Sequence, residues 1–121
     1  EYFFVKKNFH WHALFQEIYE DHFTAQDDLA ERIRSIGHTV DGRLSSMISA
    51  SKVVEDEANV VKTDLEMIAS LLEAQRTIAG TLSGASDIAA SNGDKLTEDL
   101  CVERGRVHEK FAWLLASHLG R

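Results

Sequence analysis

Apolar residues recur along most of this chain at the three- and four-residue intervals of an α-helix. From Phe15 one stripe runs through Ile18, Ala25, Leu29, Ile33 and Ile36, with His22 on the same line. Gly37 follows it where a helix C-cap belongs. A second stripe runs Val61, Leu65, Ile68, Leu72, Ala79 and Leu82, ending near Asn92-Gly93. A third runs Leu96, Leu100, Val107, Phe111 and Leu114 and closes at Gly120. Tyr2-Phe3-Phe4-Val5 reads as the last turns of an earlier helix that continues into His10. Asp41 to Asp56 is mixed, with Leu44, Met47 and Ile48 spaced for one short helix. Narrow stripes joined by short connections predict an all-α chain. The expected architecture is a four-helix bundle with a short extra helix in the crossover between its second and third helices. No internal repeat interrupts residues 1–121, which are read as a single domain.

Composition narrows the picture. The chain contains no proline, the strongest helix breaker, which suits long helices. At 121 residues it can hold one core and still gain from assembly. No apolar run approaches the roughly 20 residues of a membrane span, so no membrane partner is expected. A single cysteine, Cys101, excludes an internal disulfide and fits a cytoplasmic location, and no signal peptide is apparent. Twenty Asp+Glu outnumber thirteen Lys+Arg, for a net charge of −7. That balance disfavours a plain nucleic-acid binder and favours cations, so DNA contact would need segments outside this sequence.

One cluster carries chemistry. Asn8-Phe9-His10-Trp11-His12 stands upstream of Asp27-Asp28-Leu29-Ala30-Glu31-Arg32. Two imidazoles and two carboxylates make a ligand set for a divalent metal. Asp27 and Glu31 lie one helical turn apart and share a face. That face is nearly opposite the Phe15–Ile36 stripe, and His12, Gln16, Tyr19 and Phe23 lie broadly on it too. The bland alternative is a solvated acidic face, but large aromatics on an outer helix face mark a contact surface.

Distance decides how such a site could form. Fifteen residues separate His12 from Asp27, roughly 22 Å along a helix, whereas ligand bonds are about 2 Å long. One chain cannot wrap both around an ion. Two copies packed antiparallel about a two-fold axis near residue 20 would bring His12 of one against Asp27 and Glu31 of the other, twice per dimer. The two histidines pose a separate problem. Positions i and i+2 of a helix lie about 200° apart, so on one continuous helix they cannot share an ion. Either one alone is a ligand, or the chain changes direction between Trp11 and His12.

These residues resemble the Dps-type mini-ferritins of the ferritin-like superfamily. The resemblance rests on Asn8-Phe9-His10-Trp11, His12-Ala13-Leu14-Phe15-Gln16-Glu17 and Asp27 to Arg34 with Ile36-Gly37. Thr97-Glu98-Asp99-Leu100, Arg104 and Val107 to Trp113 are similar to the last helix of that family. It is weakest from Asp41 to Ala58. In one place the chain departs from the pattern. The family places a Gly/Pro-containing loop of roughly ten residues between the Trp and the second His, and here Trp11 is followed directly by His12. The resemblance therefore implies that the first helix and this loop are incomplete in the sequence.

What it implies for function is concrete. His10 and His12 would bind iron from one subunit and Asp27 and Glu31 from its two-fold mate, in a mono- or di-iron ferroxidase centre with Glu31 the bridging candidate. Trp11 would quench oxidising equivalents beside the metal. Gln16 stands where the family often has an acid, which would weaken a second iron position. Asp94, Asp99 and Glu103 would line an iron-entry pore on a three-fold axis, although acids at a helix start also complement its dipole. Fe(II) would be oxidised, with hydrogen peroxide preferred, and stored as Fe(III) mineral inside a hollow dodecamer that protects DNA. Two other readings stay open: a nucleoid-associated protein that compacts DNA, and a metal-free helical scaffold. The other histidines read as structural: His22 as a packing residue, His38 and His118 as surface groups, and His108 as a helix position without a ligand partner. Cys101 reads as buried.

Overall fold

The computed structural model describes residues 9–57 and 61–121, with Phe9 and His10 described by backbone alone. The helix expected around Tyr2–Val5 lies outside the described residues. Four helices and no strand occur among those described: α1 (Phe9–Ser35), α2 (Leu44–Ala50), α3 (Asp64–Ser91) and α4 (Lys95–His118). The short helix forms where Leu44, Met47 and Ile48 predict it. The chain divides into two compact units, Glu1–Leu44 with α1 and Ser45–Arg121 with α3 and α4.

Helix ends follow from single residues. Gly37 adopts φ +94°, a left-handed conformation that side chains with a Cβ rarely accept. There its N–H reaches Arg34 O at 3.0 Å, and that of His38 reaches Ile33 O at 3.1 Å. These two bonds form a Schellman motif, and Arg32 and Arg34 in the last turn complement the helix dipole. The same arrangement closes α3 at Gly93 (φ +71°) and α4 at Gly120 (φ +71°). At its start α3 has a capping box. Thr63 Oγ1 accepts from Glu66 N at 3.3 Å, and the Glu66 carboxylate accepts from Thr63 N at 2.7 Å. That backbone bond holds the exposed Glu66 carboxyl below its ordinary range.

In the second unit α3 and α4 pack on each other. The buried residues on α3 are Met67, Ile68, Leu72, Gln75, Leu82 and Ala89, and on α4 Cys101, Arg104, His108, Phe111, Ala112, Leu115 and Ala116. In the first unit Phe15, Ile18 and Ala25 are buried as their stripe predicts. Stripe ends depart from expectation. Ile33 and Ile36 are exposed, Leu65 is 56% exposed at the start of α3, and Val61 precedes that helix altogether. On α4 the buried line runs through 101, 104, 108, 111 and 115, which leaves Leu96 at 72% exposure. A line drawn through the largest apolar residues misses this face because two of its positions are polar.

Those two polar residues bond to each other and, through His108, to α3. His108 Nδ1 lies 2.8 Å from Gln75 Oε1 on α3, and its Nε2 lies 3.1 Å from an Arg104 guanidinium nitrogen one turn earlier on α4. A guanidinium only donates, so Nε2 is the acceptor and the proton sits on Nδ1, donated to Gln75. The imidazole is thus neutral and bridges the two helices.

His108→Ala would leave buried Gln75 and Arg104 without that bridge, and it should cost about 3 kcal/mol in urea unfolding. A cost under about 1 kcal/mol would show that water replaces the imidazole without penalty. Thr63→Ala should cost about 1 kcal/mol by loss of the cap. Because the Glu66 carboxyl titrates lower in the folded chain, its stabilisation is full above its ordinary value of 4.5 and fades as pH falls through the folded value. Glu66→Gln should remove that acid limb from the stability profile.

Candidate metal site

α1 carries two faces with opposite contents. One buries Phe15, Ile18 and Ala25. About a half-turn away lie His12 and Gln16, both half-buried, then Tyr19 and Phe23, which are 54% and 63% exposed. Asp27 and Glu31 continue the same side, exposed and one turn apart. The Tyr19 and Phe23 rings stack with centroids 6.4 Å apart and 25° between planes. Gln16 Nε2 donates to Glu20 Oε1 at 2.8 Å, so this amide is held along the helix surface. Helical periodicity puts all these groups in one band, and the aromatic pair occupies its middle.

The band does not close on an ion by itself. Among the described residues no group of three or more His, Cys, Asp or Glu is placed to hold a metal. α1 also runs unbroken through Trp11 and His12, so of the two alternatives the change of direction does not occur there. On this backbone, positions 10 and 12 stay about 200° apart around the axis. His10's side chain lies outside the described residues. Trp11 is half-buried.

The acidic column at the start of α4 separates into two kinds of residue. Asp94 is the N-cap. Its Oδ1 accepts from Thr97 N at 3.1 Å and its Oδ2 from Thr97 Oγ1 at 2.5 Å. Asp99 and Glu103 are exposed one turn apart on the helix surface. Cys101 is buried, and burial, followed by the nearby Asp94 carboxylate, pushes its thiol above the ordinary range. An unreactive thiol results.

The remaining histidines divide similarly. His22 is half-buried, while His38 and His118 are exposed. His108 bonds to Arg104 four residues earlier, a hydrogen-bond partner and not a metal ligand. Elsewhere, an open groove of about 410 Å³ beside α3 is lined by Lys52, Asp56, Ser70 and Glu73, among others. Lys62 bridges Asp56 and Ser70 there, and no predicted metal ligand lines it. Among the described residues no helix is long and apolar enough to cross a membrane.

Comparison with known proteins gives the lineage. The model of the ferritin-like domain matches residues 2–121. The DNA protection during starvation protein of Helicobacter pylori is 30% identical over 122 residues, covering 93% of this chain and 84% of its own. General stress protein 20U of Bacillus subtilis is 28% identical over 123 residues, covering 93% and 83%. Both aligned stretches exceed the portion of this 121-residue chain that they take up, so the relatives carry residues within them that this chain lacks. The crystal structure of Dps from Staphylococcus aureus superposes with a TM-score of 0.90 at 27% identity, over 98% of this chain and 80% of that one. With an all-α fold of the four-helix-bundle class, the chain belongs to the ferritin-like family as a Dps-type mini-ferritin, a group associated in general with iron binding, iron storage and DNA protection.

Proposed function

We propose that this chain is a ferroxidase that works between subunits. Fe(II), as substrate, is held by His12 of one copy with Asp27 and Glu31 of an antiparallel mate, and is oxidised there. The observation that carries this reading is the exposed band on α1. It sets an imidazole and a carboxylate pair at its two ends, with stacked aromatics between them, and within one chain the ends are roughly 22 Å apart. A two-fold axis through the aromatic pair relieves both oddities at once, covering the rings and bringing the ligand ends together.

Each group has a role in that arrangement. The carboxylates neutralise the cation and favour the Fe(III) product, while the imidazole leaves coordination positions open for oxidant. With hydrogen peroxide, two electrons come from two Fe(II) ions and the O–O bond breaks to water-level oxygen, without hydroxyl radical release. Protection of DNA follows from that chemistry without requiring DNA contact, which suits the net charge of −7. His10 belongs to the proposed ligand set through the family resemblance. The unbroken α1 gives it a separate position, so His12 is the primary imidazole. Residues missing from this chain within the aligned stretches support a shortened segment as the reason. Trp11 stands beside the site as an electron donor to stray oxidant. Asp99 and Glu103 furnish carboxylates for iron entry, and Asp94, engaged by Thr97, contributes mainly as a cap. A closed homo-oligomer, a dodecamer built from such dimers, holds the mineral.

The double variant Asp27→Ala/Glu31→Ala should lose fast Fe(III) formation by more than about a hundredfold in stopped-flow absorbance, with its sedimentation unchanged. Oxidation at the wild-type rate would sink the site. His12→Ala should weaken Fe(II) binding by about tenfold or more, and His10→Ala by less. The reverse order would show that the first turn of α1 rearranges to favour His10.

A further inference from the structure

Gln16 belongs to the exposed band of α1 but has no part in the iron site as proposed. It is half-buried, and Glu20, one turn further on, is exposed. Gln16 Nε2 donates to Glu20 Oε1 at 2.8 Å. A carboxylate only accepts, so this bond fixes the sense of the amide. Its NH2 faces Glu20, and its carbonyl oxygen lies on the opposite side. Among the described residues nothing donates to that oxygen. One turn toward the N-terminus stands His12, at the spacing where side chains on a helix are neighbours. Glu20 is eight positions from His12, roughly 12 Å along the axis, so it acts on that end only through Gln16.

We propose that Gln16, aimed by Glu20, selects the oxidant. The proposal rests on the intersubunit reading of the iron site and gives that site a preference. Hydrogen peroxide carries two O–H donors, whereas dioxygen has no hydrogen to give. A carbonyl oxygen beside the open positions of the ion accepts an O–H from peroxide and offers nothing to dioxygen. An NH2 in its place would lose the distinction, because both oxidants can accept from it. Gln16 holds the peroxide and takes no proton, since an amide oxygen is not a base at neutral pH. The reaction balances without it: two Fe(II) give one electron each, the O–O bond breaks, and two protons from solvent complete two waters. On an open helix an i, i+4 bond such as Gln16–Glu20 is weak. Covered by the mate it is shielded from water and strengthens, so the amide is held where the site is complete. Glu20 is thus a positioning residue.

The test compares two oxidants on the full chain. Stopped-flow Fe(III) formation is followed with hydrogen peroxide and with dioxygen, and the ratio of the two rates is the readout. Gln16→Met keeps the length of the side chain and removes the carbonyl acceptor. The ratio should fall about tenfold, as for one hydrogen bond lost from the transition state, and through the peroxide rate alone. Calorimetric affinity for Zn(II), which neither oxidant alters, should stay near wild type, whereas loss of a ligand or its support would cost roughly ten- to a hundredfold. Glu20→Lys offers Gln16 only donors, which turns the carbonyl oxygen toward it, and should lower the ratio as far. Glu20→Gln still accepts from the Gln16 NH2 and should keep the ratio high. An unchanged ratio in Gln16→Met overturns the proposal and leaves the iron site standing. Equal losses of both rates and of Zn(II) affinity also overturn it, by making Gln16 a ligand. A wild-type ratio in Glu20→Lys overturns the role of Glu20. The iron site fails separately, if Asp27→Ala/Glu31→Ala oxidises iron at the wild-type rate.

Discussion

An α-helix advances about 1.5 Å per residue and does not turn back on itself, and this governs what α1 can and cannot build. The helix is continuous for 27 residues, so groups fifteen apart on it never meet within one chain. Its periodicity imposes the second limit. With Phe15, Ile18 and Ala25 committed to the interior, the ligand-type residues are left on the outer side, where water competes for them unless another surface arrives. The rise and the turn of the helix together leave α1 with ligand-type groups that it cannot gather around one ion by itself. The same rule separates His10 from His12 along an unbroken helix.

Helix ends were the most legible part of this fold. Gly37, Gly93 and Gly120 all take positive φ, and each stands where a stripe stops, because few residues tolerate that backbone conformation. Interiors were less legible. The line through Leu96, Leu100, Val107, Phe111 and Leu114 meets the buried face at Phe111 and otherwise lies beside it, since ranking positions by apolar size passes over Arg104 and His108. That Asp27 and Glu31 share an exposed face could be read from spacing alone. Asp94 could not be resolved that way. An acid at a helix start serves equally as cap or pore carboxylate, and only its two bonds from Thr97 distinguish them.

The buried Gln75–His108–Arg104 bridge explains how α3 and α4 keep one register despite many small side chains. Apolar contacts among alanines and leucines tolerate sliding, whereas a hydrogen bond of 2.8 Å between named atoms on two helices does not. The cost is a buried guanidinium, held by a ring that must stay neutral to accept from it. Specificity of packing, more than gross stability, is what such a group contributes. That matters here because α4 also carries Asp99 and Glu103, whose placement depends on the register of the helix beneath them.

Apolar and ionic contacts would divide the work of assembly in the same manner. Stacked Tyr19 and Phe23 would offer contact area that is indifferent to small shifts. An ion with bonds of about 2 Å is not indifferent, so binding of Fe(II) between copies would select one register from those the apolar surfaces permit. Linkage makes the relation reciprocal: whatever binds only the paired state stabilises it, and whatever stabilises the pair raises affinity for the ion. A chain with a net charge of −7 gains twice from this, because the cation also offsets the repulsion that pairing creates. On this view the substrate is part of what holds the dimer in working geometry, and scarcity of iron would loosen the machine that stores it.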